Sequence, residues 1–157
     1  MKVLIVFDSY FGNTEKVAHE LEKSMNPFAE VTVLHVSKAG RSDLDGMDML
    51  IVGSPTRRFS PTPPVKEFLQ KIPPRGLKGV KTAAFDTRID VNTIKSSFLR
   101  FLVKMGGYAA KPLSQRLKRK GGKNVLPPAG FLVAGTEGPL MEGESVRAAA
   151  WVAGLNV

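Results

Sequence analysis

Short apolar runs separated by longer amphipathic segments dominate the pattern of this chain. Four of the runs are rich in β-branched residues and predict strands that are buried on both faces, as in a parallel sheet. They cover residues 3–7, 30–36, 48–53 and 80–85. A fifth strand is predicted in two pieces, 124–126 and 131–133, and the intervening Pro127-Pro128 places it at a sheet edge.

The segments between these strands have apolar residues at helical spacing. A helix is predicted to begin near Thr14, with Val17, Ala18 and Leu21 on one face. Further helices are predicted over residues 65–71, 92–104, 109–120 and 140–155. Strands alternating with helices predict an α/β fold, a doubly wound, five-stranded parallel sheet covered on both faces.

Ligands of such sheets bind beyond the carboxyl ends of the strands. This rule selects three loops, residues 8–14, 54–60 and 86–90. In the first loop a buried strand turns tightly into a helix N-terminus, where free backbone N–H groups can bind an anion. Ser9, Asn13 and Thr14 add side-chain donors, and Gly12 permits close backbone approach.

Several other anion-binding families lack support in this sequence. No G-x-G-x-x-G motif follows the first strand, and no G-K-[S/T] motif occurs, which disfavours a dinucleotide site and a P-loop. A phosphoacceptor receiver domain requires an Asp at the end of the third strand, where this chain has Gly53-Ser54.

The segment from Val3 to Leu21 resembles the signature of the flavodoxin family. The match consists of an apolar strand followed by Phe7, Ser9, Gly12, Thr14, Ala18 and Leu21. The resemblance implies one flavodoxin-like domain over residues 1–157, strand order 2-1-3-4-5, and flavin mononucleotide (FMN) as cofactor. It also implies that six loop residues wrap the FMN phosphate: Ser9, Tyr10, Phe11, Gly12, Asn13 and Thr14.

The second loop contains the run P-T-R, which resembles the quinone-reductase branch of the flavodoxin-like proteins. The resemblance implies that Ser54, Pro55 and Thr56 contact the ribityl chain and flavin ring, and Phe59 is the candidate for stacking on that ring. Arg57 and Arg58 carry positive charge that would favour the anionic reduced flavin and raise its potential. In the third loop, Asp86, Thr87 and Arg88 match the family by position only.

The second loop also departs from the family. Short-chain flavodoxins often carry a glycine there, whose peptide flips to stabilise the one-electron reduced flavin. Residues 56–59 contain no glycine, and other residues disfavour positive φ. Strong stabilisation of the one-electron form is therefore not expected, whereas FMN binding is unaffected.

Composition restricts the remaining functions. The chain has no Cys and only His19 and His35, so thiolate chemistry and a His or Cys metal site are not expected. No apolar run reaches the roughly 20 residues needed to span a bilayer. Asp8 interrupts the first apolar run, which argues against a signal peptide. A cytoplasmic protein without membrane partners is expected.

The net charge is +9, and one stretch is conspicuously basic. Residues 111–123 hold six cations and no acid: Lys111, Arg116, Lys118, Arg119, Lys120 and Lys123. This stretch is interpreted as a solvated helix face or as a docking surface for an acidic redox partner. Nucleic acid is not expected, because interleaved aromatic residues are missing. The apolar face of the predicted 92–104 helix packs in the core, caps the flavin or pairs two subunits.

The sequence thus predicts an FMN-binding, flavodoxin-like electron-transfer protein, with the flavin supplying the redox chemistry. One alternative is an FMN-dependent NAD(P)H or quinone oxidoreductase, favoured by Arg57 and the glycine-free loop. A second alternative is a flavin-free interaction module that uses the basic helix.

Overall fold

A computed structural model describes residues 1–90, 95–98, 100–101 and 107–155 of the chain. Its first half contains the elements β1 (Lys2–Phe7), α1 (Asn13–Met25), β2 (Glu30–His35), a 3₁₀ turn (Arg41–Leu44), β3 (Met49–Pro55) and α2 (Pro63–Lys71). The second half contains β4 (Lys81–Ile89), α3 (Ala110–Arg119), β5 (Lys123–Asn124), β6 (Ala129–Val133) and α4 (Glu144–Ala153). No described helix is both long and apolar enough to cross a membrane.

The strands form one parallel sheet in the order β2-β1-β3-β4-β5, which confirms the predicted topology. Both β5 and β6 pair with β4, the first through Lys81 and Thr82 and the second from Phe85 onward. The predicted edge strand in two pieces is therefore confirmed. Pro127 and Pro128 lie between the pieces, where neither has to donate a ladder hydrogen bond.

Two hydrophobic layers cover the sheet because β1 and its neighbours alternate their side chains between the faces. On one face, Ile5 and Phe7 pack with Val17 and Leu21 of α1 and Val152 of α4. The other layer contains Leu4 and Val6 with residues of α2 and α3, among them Val65, Leu69, Leu113 and Leu117. The carboxyl ends of β1, β3 and β4 consequently meet at one edge, as the sequence predicts.

Three predicted boundaries are wrong. Residues 54 and 55 belong to β3 rather than to the loop predicted over 54–60, because they pair in register with β4. Residues 86–89 belong to β4 rather than to a loop, because Asp86 to Ile89 pair in register with β6. The last helix begins at Glu144 instead of residue 140, since Gly143 adopts a left-handed conformation and Leu140 forms a bridge with Val133. Of the helix predicted over residues 92–104, only 95–98 and 100–101 are among the described residues.

Candidate cofactor site

The N-terminus of α1 forms an anion cradle. Gly12 precedes the helix at φ 87° and gives it no side-chain cap. The first backbone hydrogen bond of the helix runs from Lys16 N to Gly12 O (3.1 Å). The N–H groups of Asn13, Thr14 and Glu15 therefore have no acceptor within the helix, and the helix dipole favours negative charge beside them.

The turn before this helix is held by its own side chains. Asp8 Oδ1 accepts a hydrogen bond from Ser9 N (2.8 Å), and Ser9 Oγ accepts one from Gly12 N (3.0 Å). His35 Nε2 lies 3.2 Å from the same Asp8 oxygen. Because Ser37 N donates to His35 Nδ1 (3.1 Å), the neutral imidazole carries its proton on Nε2 and donates to Asp8. The turn is thus held by hydrogen bonds within the protein itself.

Hydroxyl and amide contacts tie the cradle to two other elements. Thr14 Oγ1 and Thr87 Oγ1 form a buried hydrogen bond of 2.8 Å, which links α1 to β4. Asn13 Nδ2 donates to Glu137 O (3.1 Å) in the loop after β6. A Cβ at Gly138 would meet the Asn13 amide, so glycine is needed there for the loop to approach α1.

The loop after β3 closes into a tight hairpin. Arg57 N donates to Ser60 O (2.9 Å) and Ser60 N to Arg57 O (3.0 Å). The two central residues, Arg58 and Phe59, have φ of 48° and 65°, as in a type I′ turn. The sequence argument that a loop without glycine avoids positive φ is therefore wrong here. The two reciprocal backbone hydrogen bonds hold both residues in this conformation despite its cost.

Arg57 spans the opening between this hairpin and the α1 cradle. Its guanidinium carbon lies 5.1 Å from the ring centroid of Tyr10 and 5.9 Å from that of Phe11. These are cation–π distances. Both aromatic side chains are about half exposed, at 49% and 46%, so the contact lies at the surface of the site.

A buried ion pair lies on β4. Asp86 is fully buried and accepts hydrogen bonds from Arg88 Nε and Nη2, both at 2.7 Å, and from Ala110 N at 2.8 Å. Burial raises the pKa of Asp86, against the opposing effect of Arg88 and the Ala110 N–H. The Arg88 guanidinium stacks 3.8 Å from the ring centroid of Tyr108 and occupies the space that a Cβ at Gly130 would fill.

These elements enclose a cleft of about 70 Å³. Ten of the fifteen predicted site residues line it: Ser9, Tyr10, Phe11, Asn13, Thr14, Pro55, Thr56, Arg57, Thr87 and Arg88. A second, open groove of about 700 Å³ shares Tyr10, Thr56 and Arg57 with the cleft. Arg58, an eleventh predicted site residue, lines this groove.

The other four predicted residues lie elsewhere. Gly12 shapes the helix start, and Asp86 is buried beneath Arg88. Ser54 is also fully buried, and its Oγ accepts from Thr62 N (3.0 Å) and donates to Pro55 O (2.8 Å). Phe59 is at the hairpin tip and does not line the cleft. Direct contact of these side chains with the cofactor stays a prediction.

Sequence reasoning missed several residues of the site. Ile89, Val133 and Thr136 line the cleft, and Thr136 also lines the groove. Tyr108 supplies the aromatic ring near β4 that the 86–90 segment lacks. The sequence places Tyr108 just before a predicted helix, but it contains no feature that links Tyr108 to Arg88.

The cleft fits the anionic end of FMN. A volume of about 70 Å³ corresponds to roughly two water molecules, which suits a phosphate-sized group rather than a flavin ring. The cradle supplies N–H and hydroxyl donors, and no carboxylate is among the described residues that line it. The adjoining groove is open and large, as a flat aromatic group would need.

Comparisons with known proteins agree with this architecture. The family model described as flavodoxin matches residues 5–151. Oxidised flavodoxin 1 from Bacillus cereus has a similar structure, with TM-score 0.76 and 19% identity over 98% of this chain and 96% of that one. A flavodoxin from the domain Archaea matches with TM-score 0.72 and 17% identity, covering 96% and 93% of the two chains.

A larger protein contains a similar unit. Rubredoxin oxygen:oxidoreductase from the anaerobe Desulfovibrio gigas matches with TM-score 0.75 and 22% identity over 98% of this chain. This chain spans only 35% of that protein's length. At such identities the structural matches establish the shared fold.

The sheet topology, the anion cradle and the cleft beyond the strand ends define a doubly wound mononucleotide-binding protein. The family match adds the specific assignment. This chain belongs to the flavodoxin family, and it is an FMN-binding electron-transfer protein that exchanges electrons with redox partners.

Proposed function

We propose that this protein is an electron carrier whose FMN phosphate binds at the N-terminus of α1 and whose redox partner is acidic. The observation that carries the first part is the cradle, where the N–H groups of Asn13, Thr14 and Glu15 have no acceptor within the helix. The Thr14–Thr87 hydrogen bond holds the cradle against β4. When bound, FMN supplies the redox chemistry by accepting and releasing electrons.

The chain's own residues bind the cofactor and set the charge around it. The described lining of the cleft contains no carboxylate and no imidazole, and Tyr10 is exposed at its surface. Arg57 and Arg88 are the cations of the lining, but Arg88 is neutralised by Asp86. Arg57 therefore dominates the charge near the cofactor and favours its reduced, more negative form.

Reductive titration of the FMN-loaded protein, combined with steady-state NAD(P)H oxidation, tests the carrier function. We expect reversible reduction by a chemical donor and no NAD(P)H turnover unless a separate reductase is added. Turnover by the protein alone, with or without a quinone, would overturn the carrier proposal. It would establish the oxidoreductase alternative, which the open groove beside Arg57 favours.

The acidic partner is supported by the charge around the groove. Arg57, Arg58 and Lys66 line it, and none of the described lining residues is a carboxylate. Oxidation of the reduced protein by ferricyanide, an anion, should slow as ionic strength rises, while oxidation by hexaamminecobalt(III), a cation, should accelerate.

The doubly changed variant R58E/K66E should weaken or reverse both salt dependences. The variant K23E/K38E carries the same change in net charge at exposed positions of α1 and of the turn after β2, and should retain them. Equal effects of the two variants would contradict docking at the groove. The cytoplasmic location and the homodimer considered from the sequence stay predictions.

A further inference from the structure

The edge of the sheet opposite the cofactor cleft carries a basic strip. We define the strip as six exposed cations from the α2–β4 loop, the end of α3 and the starts of β4 and β5. They are Arg75, Lys78, Lys81, Lys118, Arg119 and Lys123. Among the described residues, none of the six forms an ion pair with a carboxylate.

The strip follows from a strong charge asymmetry along the chain. Residues 71–136 hold fourteen Lys and Arg residues but only two carboxylates, Asp86 and Asp90. Asp86 is already paired with Arg88 at the cofactor edge. The positive charge is therefore concentrated in one segment of the sequence, and six of its fourteen cations form the strip.

Backbone contacts fix these cations close together. Leu77 N donates to Lys120 O (3.0 Å), which fastens the α2–β4 loop to the end of α3. Lys123 N donates to Val80 O (2.9 Å), and Lys81 and Lys123 are direct register partners on neighbouring strands. Like charges opposite each other in a sheet are unfavourable, so a bound anion would relieve this repulsion.

The strip is separate from the electron-transfer site. β4 begins at Lys81 and reaches the cleft at Thr87 to Ile89. At about 3.3 Å per residue the two ends of the strand are roughly 26 Å apart. A partner bound at the strip is not in contact with the cofactor cleft, so electron transfer does not account for the strip.

Acidic residues beside the basic strip restrict the class of partner that can bind it. The amino end of β2 and the segment before β3 carry the acidic residues Glu30, Asp43, Asp45 and Asp48 along the same edge. A flat anionic membrane covering the edge would meet these carboxylates as well. A narrow polyanion can lie along the basic half alone.

The strip also lacks aromatic residues, since the large exposed apolar side chains of the described chain all lie elsewhere. Base stacking on a single strand is therefore not available, which is why the sequence alone disfavoured nucleic acid. Phosphate contacts need only cations. We propose that the basic strip binds the phosphate backbone of a double-stranded nucleic acid, without sequence preference.

Fluorescence anisotropy with a labelled mixed-sequence duplex of about 20 base pairs tests this proposal, using the FMN-loaded protein. Each phosphate contact contributes about 0.9 to the slope of log K against log salt concentration. K81Q/K123Q should therefore lower the slope by about 1.8 and weaken binding about 60-fold near 0.1 M salt. An unchanged flavin spectrum would show that the variant is folded.

The matched control is K23Q/K38Q, which removes the same charge from exposed positions outside the strip. It should keep most of the affinity. Equal weakening by the two variants, or no binding at 0.1 M salt, would overturn the proposal. So would tighter binding to vesicles of phosphatidylserine and phosphatidylcholine, or to polyglutamate, because either would assign the strip to a membrane or an acidic protein.

Discussion

The two edges of the sheet present different chemical groups to an anion. At the carboxyl edge, backbone N–H groups at α1 and hydroxyls such as those of Thr14 and Thr87 are fixed in a cleft. At the amino edge, side-chain cations are exposed, and Lys81 and Lys123 lie next to each other without a carboxylate between them. The first arrangement selects one small ligand by geometry, whereas the second attracts extended anions by charge alone.

The two edges also differ in whether their charged side chains form ion pairs. At the carboxyl edge Arg88 is neutralised by Asp86, and Arg147 donates to Glu144 (Nη2 to Oε2, 2.6 Å). Hydrogen bonds from Arg147 and from Leu132 N outweigh burial and lower the pKa of Glu144. In the part of the chain that the structure describes, the six cations of the strip form no ion pair, so salt should affect this edge far more than the cleft.

Arg57 gives the largest expected effect at the cofactor edge. R57Q should lower the FMN midpoint potential, because it removes the unpaired cation that lines the cleft. A charge about 8 Å away at an effective dielectric near 20 contributes about 2 kcal/mol, or about 40 mV for a two-electron couple. Spectroelectrochemistry measures the shift.

R75Q, which removes a cation from the opposite edge, is the control for this experiment and should leave the potential nearly unchanged. R58Q should have an intermediate effect, since Arg58 lines the outer groove only. Similar shifts in R57Q and R75Q would mean that net charge, and not proximity, sets the potential.

A pair of hydroxyl deletions separates cofactor binding from stability. T14V removes the hydrogen bond to Thr87 Oγ1 (2.8 Å), and T82V removes the one to Asn124 Oδ1 (2.6 Å) near the amino edge. Each should lower the free energy of unfolding by about 1 kcal/mol. Only T14V should also weaken FMN binding, by about tenfold if a donor worth about 1.4 kcal/mol is lost.

Denaturant unfolding and fluorescence-quenching titrations of the apoprotein measure the two quantities. If T14V retains the FMN affinity of the wild type, Thr14 does not contact the phosphate. If T82V loses affinity equally, the loss reflects general destabilisation, and the cradle assignment fails.

The sequence predicts the topology and the first loop well because both depend on local patterns. Apolar runs such as residues 3–7 and the turn before Thr14 determine their own conformation. The contact of Asp86 with Ala110 could not be predicted, because it joins β4 to the start of α3 across a long stretch of chain. The separation of the basic strip from the cleft is likewise invisible in sequence, since Lys81 and Thr87 are six residues apart but lie toward opposite edges of the sheet.

The backbone conformation of the hairpin after β3 could not be predicted from the sequence either. Arg58 and Phe59 have no side-chain feature that favours positive φ, and only the reciprocal bonds between Arg57 and Ser60 require it. Arg75 adopts φ 61° at the opposite edge, where Gly76 and Lys78 donate backbone hydrogen bonds around it. Each edge thus contains an arginine in a left-handed conformation.

Replacing each of these two arginines by glycine gives the smallest expected effect and compares the two edges most directly. R58G and R75G should each stabilise the fold by about 0.5–1 kcal/mol, because glycine adopts positive φ without steric cost. Their binding effects should differ: R75G should weaken duplex binding about eightfold, as one phosphate contact is lost, and R58G should not. Thermal unfolding and anisotropy measure both. Since each variant removes one positive charge, weaker duplex binding by R58G would show that the strip does not act as a local site.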